Sequence, residues 1–263
     1  MPVREWDGGS YDRVSTTMEA LGLEVLARLQ LNGDELVLDA GCGSGRITQA
    51  LTGRLAHGHV IAVDESASML AAARERLGAL VVDPGPASDR SDGRVELRVG
   101  DLLALELEQP VDAILSTATF HWIADHDRLF ARLRAALQPG GVLVAQCGGE
   151  GNIALLRGRA DAVLARAPYA EHFRGWHAPW NYAGAEQTRE RLLAAGFSAA
   201  QCWLQPAPRE PQEPREYLAT IVLGPHVQQL PEQLREPFLD AVLAELGEPV
   251  VVDYVRLNID AVA

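Results

Sequence analysis

The sequence has few cysteines and no CxxC pair, and this excludes two classes of protein. The three cysteines, Cys42, Cys147 and Cys202, lie far apart along the chain. Such a pattern supplies neither a disulfide framework nor a zinc site, and it is typical of a reducing compartment. We therefore expect no structural metal.

The sequence also lacks long apolar runs and an excess of positive charge. No apolar run reaches about 18 residues, the length that a membrane-spanning helix needs, and no apolar segment precedes a cleavage site. We accordingly expect a soluble, cytoplasmic protein with no membrane partner. Lys and Arg number 23 against 36 Asp and Glu, a formal net charge of −13. A surface of that sign repels phosphate backbones, so nucleic acid is not an expected partner. The oligomeric state stays open.

One stretch, at the end of the first predicted strand (residues 35–39), can hold a ligand. Asp39 is followed by Gly41, Gly43 and Gly45, and a helical pattern then begins. Residues without a Cβ let the chain turn sharply and approach a ligand closely. A dinucleotide-binding fold would place its third glycine where this sequence has Arg46. An acid before the loop disfavours a pyrophosphate and suits an ammonium or sulfonium ion.

The run Asp39-Ala40-Gly41-Cys42-Gly43-Ser44-Gly45 resembles the first motif of class I S-adenosylmethionine (SAM)-dependent methyltransferases. The resemblance implies a single α/β domain of Rossmann-like type over residues 1–263. Its sheet would have seven mostly parallel strands, helices on both faces and an antiparallel last strand. Residues 1–33 would form an N-terminal cap and residues 34–147 the SAM-binding core. Residues 148–184 and 206–248 would be insertions or a lid on the substrate side.

Two further positions extend the cofactor site. Asp64 ends the second predicted strand, beside the glycine loop in a βαβ unit, where it can accept from both ribose hydroxyls. NAD-binding folds use the same device, so Asp64 alone does not discriminate. The stretch Ser66–Leu70 resembles the family's segment in which the side chain at the Met69 position packs on the adenine. Alternatively, Met69 belongs to the core stripe of a helix.

The remaining cofactor contacts follow from the resemblance. Gly100-Asp101-Leu102, after the third predicted strand, resembles the adenine-edge site, where Asp101 accepts from the exocyclic amine and the backbone amide of Leu102 donates to the ring. An acid at this place is otherwise an ordinary cap. Ser116, which directly follows the fourth predicted strand (residues 111–115), is a further predicted cofactor contact. Tyr11, with Trp6, either folds over the cofactor cleft or fastens the first helix to the core.

The strings FHWIADHDRLFARL and LQPGGVLV resemble the trans-aconitate and juvenile-hormone-acid methyltransferase group, and the likeness covers roughly residues 10–150. Nucleobase amino methyltransferases have an Asn-Pro-Pro-aromatic motif after the fourth strand, which this chain lacks. The resemblance implies methyl transfer from SAM, leaving S-adenosylhomocysteine, to a small molecule. A carboxylic acid oxygen is the leading acceptor, and a phenol, amine or carbon is the alternative. A SAM-binding protein without turnover and an NAD(P) oxidoreductase are rivals from other classes.

His121 is the best-placed titratable residue on the substrate side. It could position the acceptor as a hydrogen-bond donor, act as a general base, or only stack beside a tryptophan and shape the wall. A carboxylate acceptor needs no base, whereas a phenol or amine can need one. The other tentative substrate-binding residues are aromatic: Trp122, Trp176, Trp180 and Tyr182. His172 and His177 are weaker candidates.

A carboxylate substrate also calls for a guanidinium group, because arginine binds carboxylates through two parallel hydrogen bonds. Four arginines lie in the predicted substrate-side region: Arg157, Arg159, Arg166 and Arg174. The sequence does not say which of them would bind the acid, and most are expected to be solvated or paired.

Overall fold

A computed structural model describes residues 16–83 and 94–263 of the chain. Trp6 and Tyr11 therefore lie outside the described residues, and so does most of the turn-rich segment 83–93. The predictions made for these positions have no structural counterpart here.

The described residues form one mixed sheet of eight strands in the order β3-β4-β2-β1-β5-β6-β8-β7. Strands β1 to β6 are mutually parallel, and β8 runs antiparallel to both of its neighbours, β6 and β7. The predicted mostly parallel sheet with an antiparallel last strand is confirmed. The strands are β1 (Leu36–Ala40), β2 (His59–Asp64), β3 (Val81–Val82), β4 (Arg94–Val99), β5 (Val111–Thr117), β6 (Leu137–Gly148), β7 (Ala199–Pro206) and β8 (Val255–Val262).

The predicted strand number, seven, is one too low for the described residues. The additional strand is β3, a pair of valines at the sheet edge beside β4. Two residues are too few to show an alternating or continuous apolar pattern, so the sequence contains no signal for it.

Helices cover both faces of the sheet. The α-helices are α1 (Thr16–Arg28), α2 (Arg46–Thr52), α3 (Ala67–Leu77), α4 (His126–Ala136), α5 (Ala154–Leu164), α6 (Ala185–Ala194), α7 (Pro214–Tyr217), α8 (Gly224–Gln229) and α9 (Glu232–Leu246). Two of their starts are capped as the residue types predict. Ser66 accepts from the amide of Met69 at the start of α3, and Asp125 accepts from the amide of Arg128 at the start of α4.

Three boundaries differ from the prediction. Strand β6 begins at Leu137, and the Pro-Gly-Gly turn expected to precede it is a bulge in its pairing with β5. Strand β8 begins at Val255, although the apolar pattern starts at Val250. The sequence pattern predicts a helix at about 214–222, and this segment begins as α7 and continues as a π-helical turn over Leu218–Val222. Helix α8 follows it and was not predicted.

Three apolar clusters hold these layers together. Phe120, Phe130 and Leu133 lie in one, and Val37, Leu51 and Val60 lie in a second. The third contains α5, α7 and α9 with the segment before β8, and includes Tyr217, Leu218, Phe238 and Leu239. This third cluster packs the two predicted substrate-side segments, 148–184 and 206–248, against each other. None of the described helices has the length and apolarity to cross a bilayer.

Candidate active site

Asp39 is buried near the end of β1, and one of its carboxylate oxygens has no hydrogen-bond partner among the described residues. The residue is 1% exposed, and Oδ2 accepts from the Thr48 hydroxyl at 2.7 Å. Oδ1 has no donor within the described part of the chain. Burial raises the pKa of Asp39 to about 7; the Thr48 hydrogen bond opposes the rise and the Asp64 charge adds to it. A buried acceptor of this kind is costly unless a ligand brings a donor or a positive charge.

Two glycines of the loop after β1 have different surroundings. Gly41 has φ of +82°, and a Cβ built on it would lie 2.1 Å from Oγ1 of Thr119. The Thr119 hydroxyl donates to the Gly41 carbonyl at 3.2 Å, so this part of the loop is packed against the end of β5. Gly43 has φ of +54°, and a Cβ built there has no atom of the described chain within 4 Å. The loop is therefore closed at Gly41 and open at Gly43.

Asp64 holds the glycine loop and the start of α3 in place. Its Oδ2 accepts from the amide of Gly43, and its Oδ1 accepts from the amide of Ser66, both at 2.9 Å. Burial raises the pKa of this partly buried carboxyl, against the hydrogen bonds from Ser66 and Gly43. Each carboxylate oxygen has a second acceptor direction. Asp64 can thus still accept from a ligand beside Gly43.

The predicted adenine-binding residues follow the next strand ends. Met69 is 4% exposed on α3; Leu70, Ala73 and Leu77 of the same helix belong to a core cluster of described residues in which Met69 is not a member. Leu102 is buried, whereas Asp101 is exposed and its Oδ1 caps the amide of Leu103 at 2.8 Å. The cap that we gave as the alternative is present, and it leaves the other oxygen of Asp101 available.

Ser116 connects β5 to β1 through its side chain. It is 1% exposed, and its hydroxyl donates to the Ala40 carbonyl at 2.6 Å. The hydroxyl thereby fixes the strand end below the glycine loop, and it can reach a cofactor only as an acceptor.

Two residues later, Ala118 has φ of +57°, and it lines a cavity. A non-glycine residue in this backbone region is strained, and such strain concentrates at functional sites.

His121 lies in a short 3₁₀ turn over Phe120–Trp122, and its ring is held on several sides. Nδ1 accepts from the amide of Gly148, the last residue of β6, at 3.3 Å. The ring centroids of Trp122 and Tyr182 lie 5.1 and 5.8 Å from that of His121. Because Nδ1 accepts, the hydrogen-bond pattern assigns the proton of the neutral imidazole to Nε2. In this tautomer Nε2 is a donor and not a base.

Next to His121 is a small cavity of about 50 Å³. Its described lining residues come from both ends of the chain: Met18, Ala118, His121, Trp122, Asn152, Ile153, Trp180, Tyr182, Ile221, Val222, Tyr254 and Arg256. The cavity thus contains four of the five predicted substrate-side residues.

The fifth, Trp176, lies elsewhere. It lines a second, larger cavity of about 480 Å³ that also touches Arg157, Asp161 and His226. The His226 ring stands between the two cavities, 4.8 Å from Trp176 and 5.6 Å from Trp180. The structure does not bring Trp176 to the first cavity, because this histidine and its neighbours separate them.

None of the four arginines predicted for an acid substrate lines the first cavity. Arg157 borders the second cavity, Arg166 pairs with Glu245 at 2.8 Å, and Arg159 and Arg174 are exposed. The arginine that does line the first cavity is Arg256 on β8, which is 2% exposed. The sequence analysis did not predict Arg256, nor did it predict Thr119, Asn152 and Tyr254 as site residues. Of these four, only Arg256 could have been found from the sequence, because it is a charged residue within an apolar strand pattern.

Comparisons with known proteins agree with this arrangement. A protein-family profile described as "Methyltransferase domain" matches residues 37–141. A trans-aconitate 2-methyltransferase of Variovorax paradoxus is 36% identical over 170 residues, which cover 64% of this chain and 59% of that protein. In this and two similar alignments the chain spans only 50% to 59% of the relative. A trans-aconitate 2-methyltransferase of Paracidovorax citrulli is 30% identical over 253 residues, covering 91% of this chain and 88% of that protein.

Solved structures share the fold. Phosphoethanolamine N-methyltransferase 2 of Haemonchus contortus, in complex with S-adenosyl-L-methionine, has a TM-score of 0.62 at 20% identity and covers 97% of this chain and 56% of that one. An S-adenosylmethionine-dependent methyltransferase of Mesorhizobium loti has a TM-score of 0.51 at 21% identity, covering 92% and 96%.

Proposed function

Because this chain belongs to the family of SAM-dependent methyltransferases that includes the trans-aconitate 2-methyltransferases, we propose that it methylates an oxygen of a small carboxylic acid. The observation that carries the proposal is the charge of the cavity beside His121. Its described lining includes the guanidinium of Arg256 and no carboxylate. A cation with no acid beside it favours an anionic acceptor and disfavours an ammonium ion. The names of the relatives support the same class of acceptor.

The cleft at the ends of β1 and β2 fits SAM. The orphaned Oδ1 of Asp39 can meet a donor or a cation of the cofactor, and the open side of Gly43 leaves room for ligand atoms against the backbone. Asp64 would accept from the ribose, and Met69 with Asp101 and Leu102 would contact the adenine. SAM, when bound, supplies a methyl group already activated on a sulfonium sulfur.

The residues of the acceptor cavity would then align the acid and exclude water, which is most of what an in-line displacement requires. We assign His121 a positioning role, with its Nε2 hydrogen donated to the acceptor. A carboxylate is already ionised near neutral pH, so no proton needs to be removed. The small volume favours a compact acceptor, and a larger one requires the wall of Trp122 and Trp180 to move.

Isothermal titration calorimetry with SAM, S-adenosylhomocysteine and NAD tests the cofactor, and a methyl-transfer assay on a panel of acids, phenols and amines tests the reaction. We expect binding of the first two ligands, no binding of NAD, and product only with carboxylic acids, with trans-aconitate as the first probe. Tight SAM binding without transfer to any acceptor would indicate the non-catalytic alternative. Transfer to amines or phenols but to no acid would overturn the carboxylate proposal.

A further inference from the structure

Arg256 is a buried cation without a counter-ion among the described residues. It is 2% exposed on β8, and its Cα pairs with that of Gly148 in the antiparallel ladder to β6. No Asp or Glu of the described chain lies within ion-pair distance of it. Its guanidinium has one hydrogen bond within the described ranges, from Nε to Oε1 of Gln146 at 3.3 Å. Burying an unpaired charge costs several kcal/mol.

Another arginine, Arg28 at the end of α1, contacts the same pair of strands and has a hydrogen-bond partner for each of its side-chain nitrogens. Arg28 pairs through Nε with Asp260 at 3.2 Å. Its terminal nitrogens donate to Asn258 Oδ1 at 2.7 Å and to the Ala145 carbonyl at 2.9 Å. All three side-chain nitrogens of Arg28 have a partner, whereas Arg256 uses only Nε within the part of the chain that the structure describes. With respect to these residues, the terminal nitrogens of Arg256 retain four N–H donors for another group.

The neighbours of Arg256 cannot neutralise it. Burial raises the pKa of Tyr182 and of Tyr254, so both phenols stay protonated although the Arg256 charge acts in the opposite direction. Burial likewise raises the pKa of the Cys147 thiol to about 12. The Tyr254 ring centroid lies 5.7 Å from the guanidinium carbon, and a cation–π contact of this kind offsets only part of the cost of burying the charge.

We propose that Arg256 binds a carboxylate group of the acceptor and makes the cavity selective for acids. This inference rests on the proposed function and adds to it the residue that recognises the substrate. Arg256 lines the cavity next to His121, and the two are linked through Gly148. A bound carboxylate supplies the missing counter-ion and accepts from the terminal nitrogens in the forked geometry of arginine. A neutral ester or amide supplies no charge and binds weakly.

Two substitutions test the role from opposite directions. Arg256→Gln removes the charge, and Gln146→Glu retains the arginine but places a carboxylate where the amide oxygen now lies, so the guanidinium is neutralised internally. In both variants we expect the Kd and KM for trans-aconitate to rise about 100-fold or more, since a buried charged hydrogen bond is lost. Binding of S-adenosylhomocysteine should change less than about threefold. Arg256→Lys, which keeps the charge without the fork, should recover part of the loss.

Thermal unfolding separates an anchor from a structural residue. Removing an uncompensated buried charge does not destabilise a fold, so Arg256→Gln should keep or raise the Tm. Arg28→Gln, the matched control, should lower the Tm and leave the KM for the acid unchanged. If Arg256→Gln lowers the Tm as Arg28→Gln does, or binds trans-aconitate like the wild type, the inference is wrong while the proposed function stands. If the wild type binds SAM but methylates no acid, both are wrong.

Discussion

The proposed cofactor cleft and the proposed acceptor cavity lie at the same edge of the sheet, but their charges have opposite signs. The cleft contains Asp39 and Asp64, and Glu65 and Asp101 lie nearby. The pKa of Glu65 is raised by burial first and then by the negative charges of Asp101 and Asp64. The cavity contains Arg256 and no acid among its described lining residues. The proposed methyl transfer from a sulfonium to a carboxylate joins a cation and an anion, so each half of the site would attract its own reactant and repel the other.

The two halves also differ in how the chain builds them. Asp39, Asp64 and Asp101, at or just after the ends of β1, β2 and β4, supply the cleft from consecutive parallel strands. The cavity is assembled from Met18, His121, Tyr182 and Arg256, which are far apart in sequence. The first half is thus a local feature of the chain, and the second depends on how distant segments pack.

The largest effect is expected at the glycine loop. Gly43→Val should weaken SAM binding by more than about 100-fold, because the side chain fills the open space beside the loop and φ of +54° strains it. Calorimetry with SAM measures the loss. Gly78→Val is the matched control: φ is +51° and the space around a Cβ is also open. It should carry similar strain and bind SAM normally. Equal loss in both variants would mean that strain, and not the cofactor volume, is responsible.

Asp64→Ala should weaken SAM binding by about 1.5–3 kcal/mol, because a charge-assisted acceptor for the ribose is lost together with the hydrogen bonds to Gly43 and Ser66. Asp64→Asn, which retains one oxygen, should lose less. When SAM is saturating, the affinity of both Asp64 variants for an acid acceptor should equal that of the wild type. Unchanged SAM affinity in a folded Asp64→Ala variant would contradict the assignment of this residue.

The pH dependence of SAM binding should report on Asp39. Its pKa is about 7 in the free protein because of burial, and a bound cation lowers this pKa by favouring the carboxylate. Above pH 7 the group is already ionised, so affinity should be flat there. Below pH 7 binding requires loss of a proton, so affinity should fall by up to about tenfold per pH unit. Calorimetry in two buffers should detect proton release at pH 6, and Asp39→Asn should abolish both effects. A pH-independent affinity in the wild type would contradict this reading.

The cofactor half of the site could be predicted from the sequence to a greater extent than the acceptor half. The positions of Asp39 and Asp64 at strand ends, and the parallel sheet itself, could be predicted because strand–glycine loop–helix patterns are local. The structure brings Asp39, Gly43 and Asp64 together, and their role in cofactor binding stays a prediction.

The acceptor half could be predicted only in part. His121 and Trp122 follow a strand end, but Arg256 donates to Gln146 across 110 positions of sequence, and no spacing rule reaches that far. The four arginines of the predicted substrate-side region lie outside the cavity: Arg157 borders the second cavity, Arg166 pairs with Glu245, and the other two are exposed. The edge strand β3 and the bulge after Leu137 depend on pairing with neighbours and not on their own residues.

The smallest effect is expected at His121, and it tells an acid acceptor from one that must lose a proton. Nδ1 accepts from Gly148, so Nε2 donates, and a glutamine can replace that donor. His121→Gln should therefore retain turnover of a carboxylic acid within about tenfold, with unchanged SAM affinity. If the enzyme instead uses the ring as a general base for a phenol or an ammonium ion, the rate should drop by about 10²–10⁴. Single-turnover rates with SAM saturating, measured from pH 6 to 9, decide between the two. A hundredfold drop in rate with intact SAM binding would contradict a carboxylic acid acceptor and indicate an acceptor that must lose a proton to a base. The opposite charges of the two halves of the site would then need another explanation.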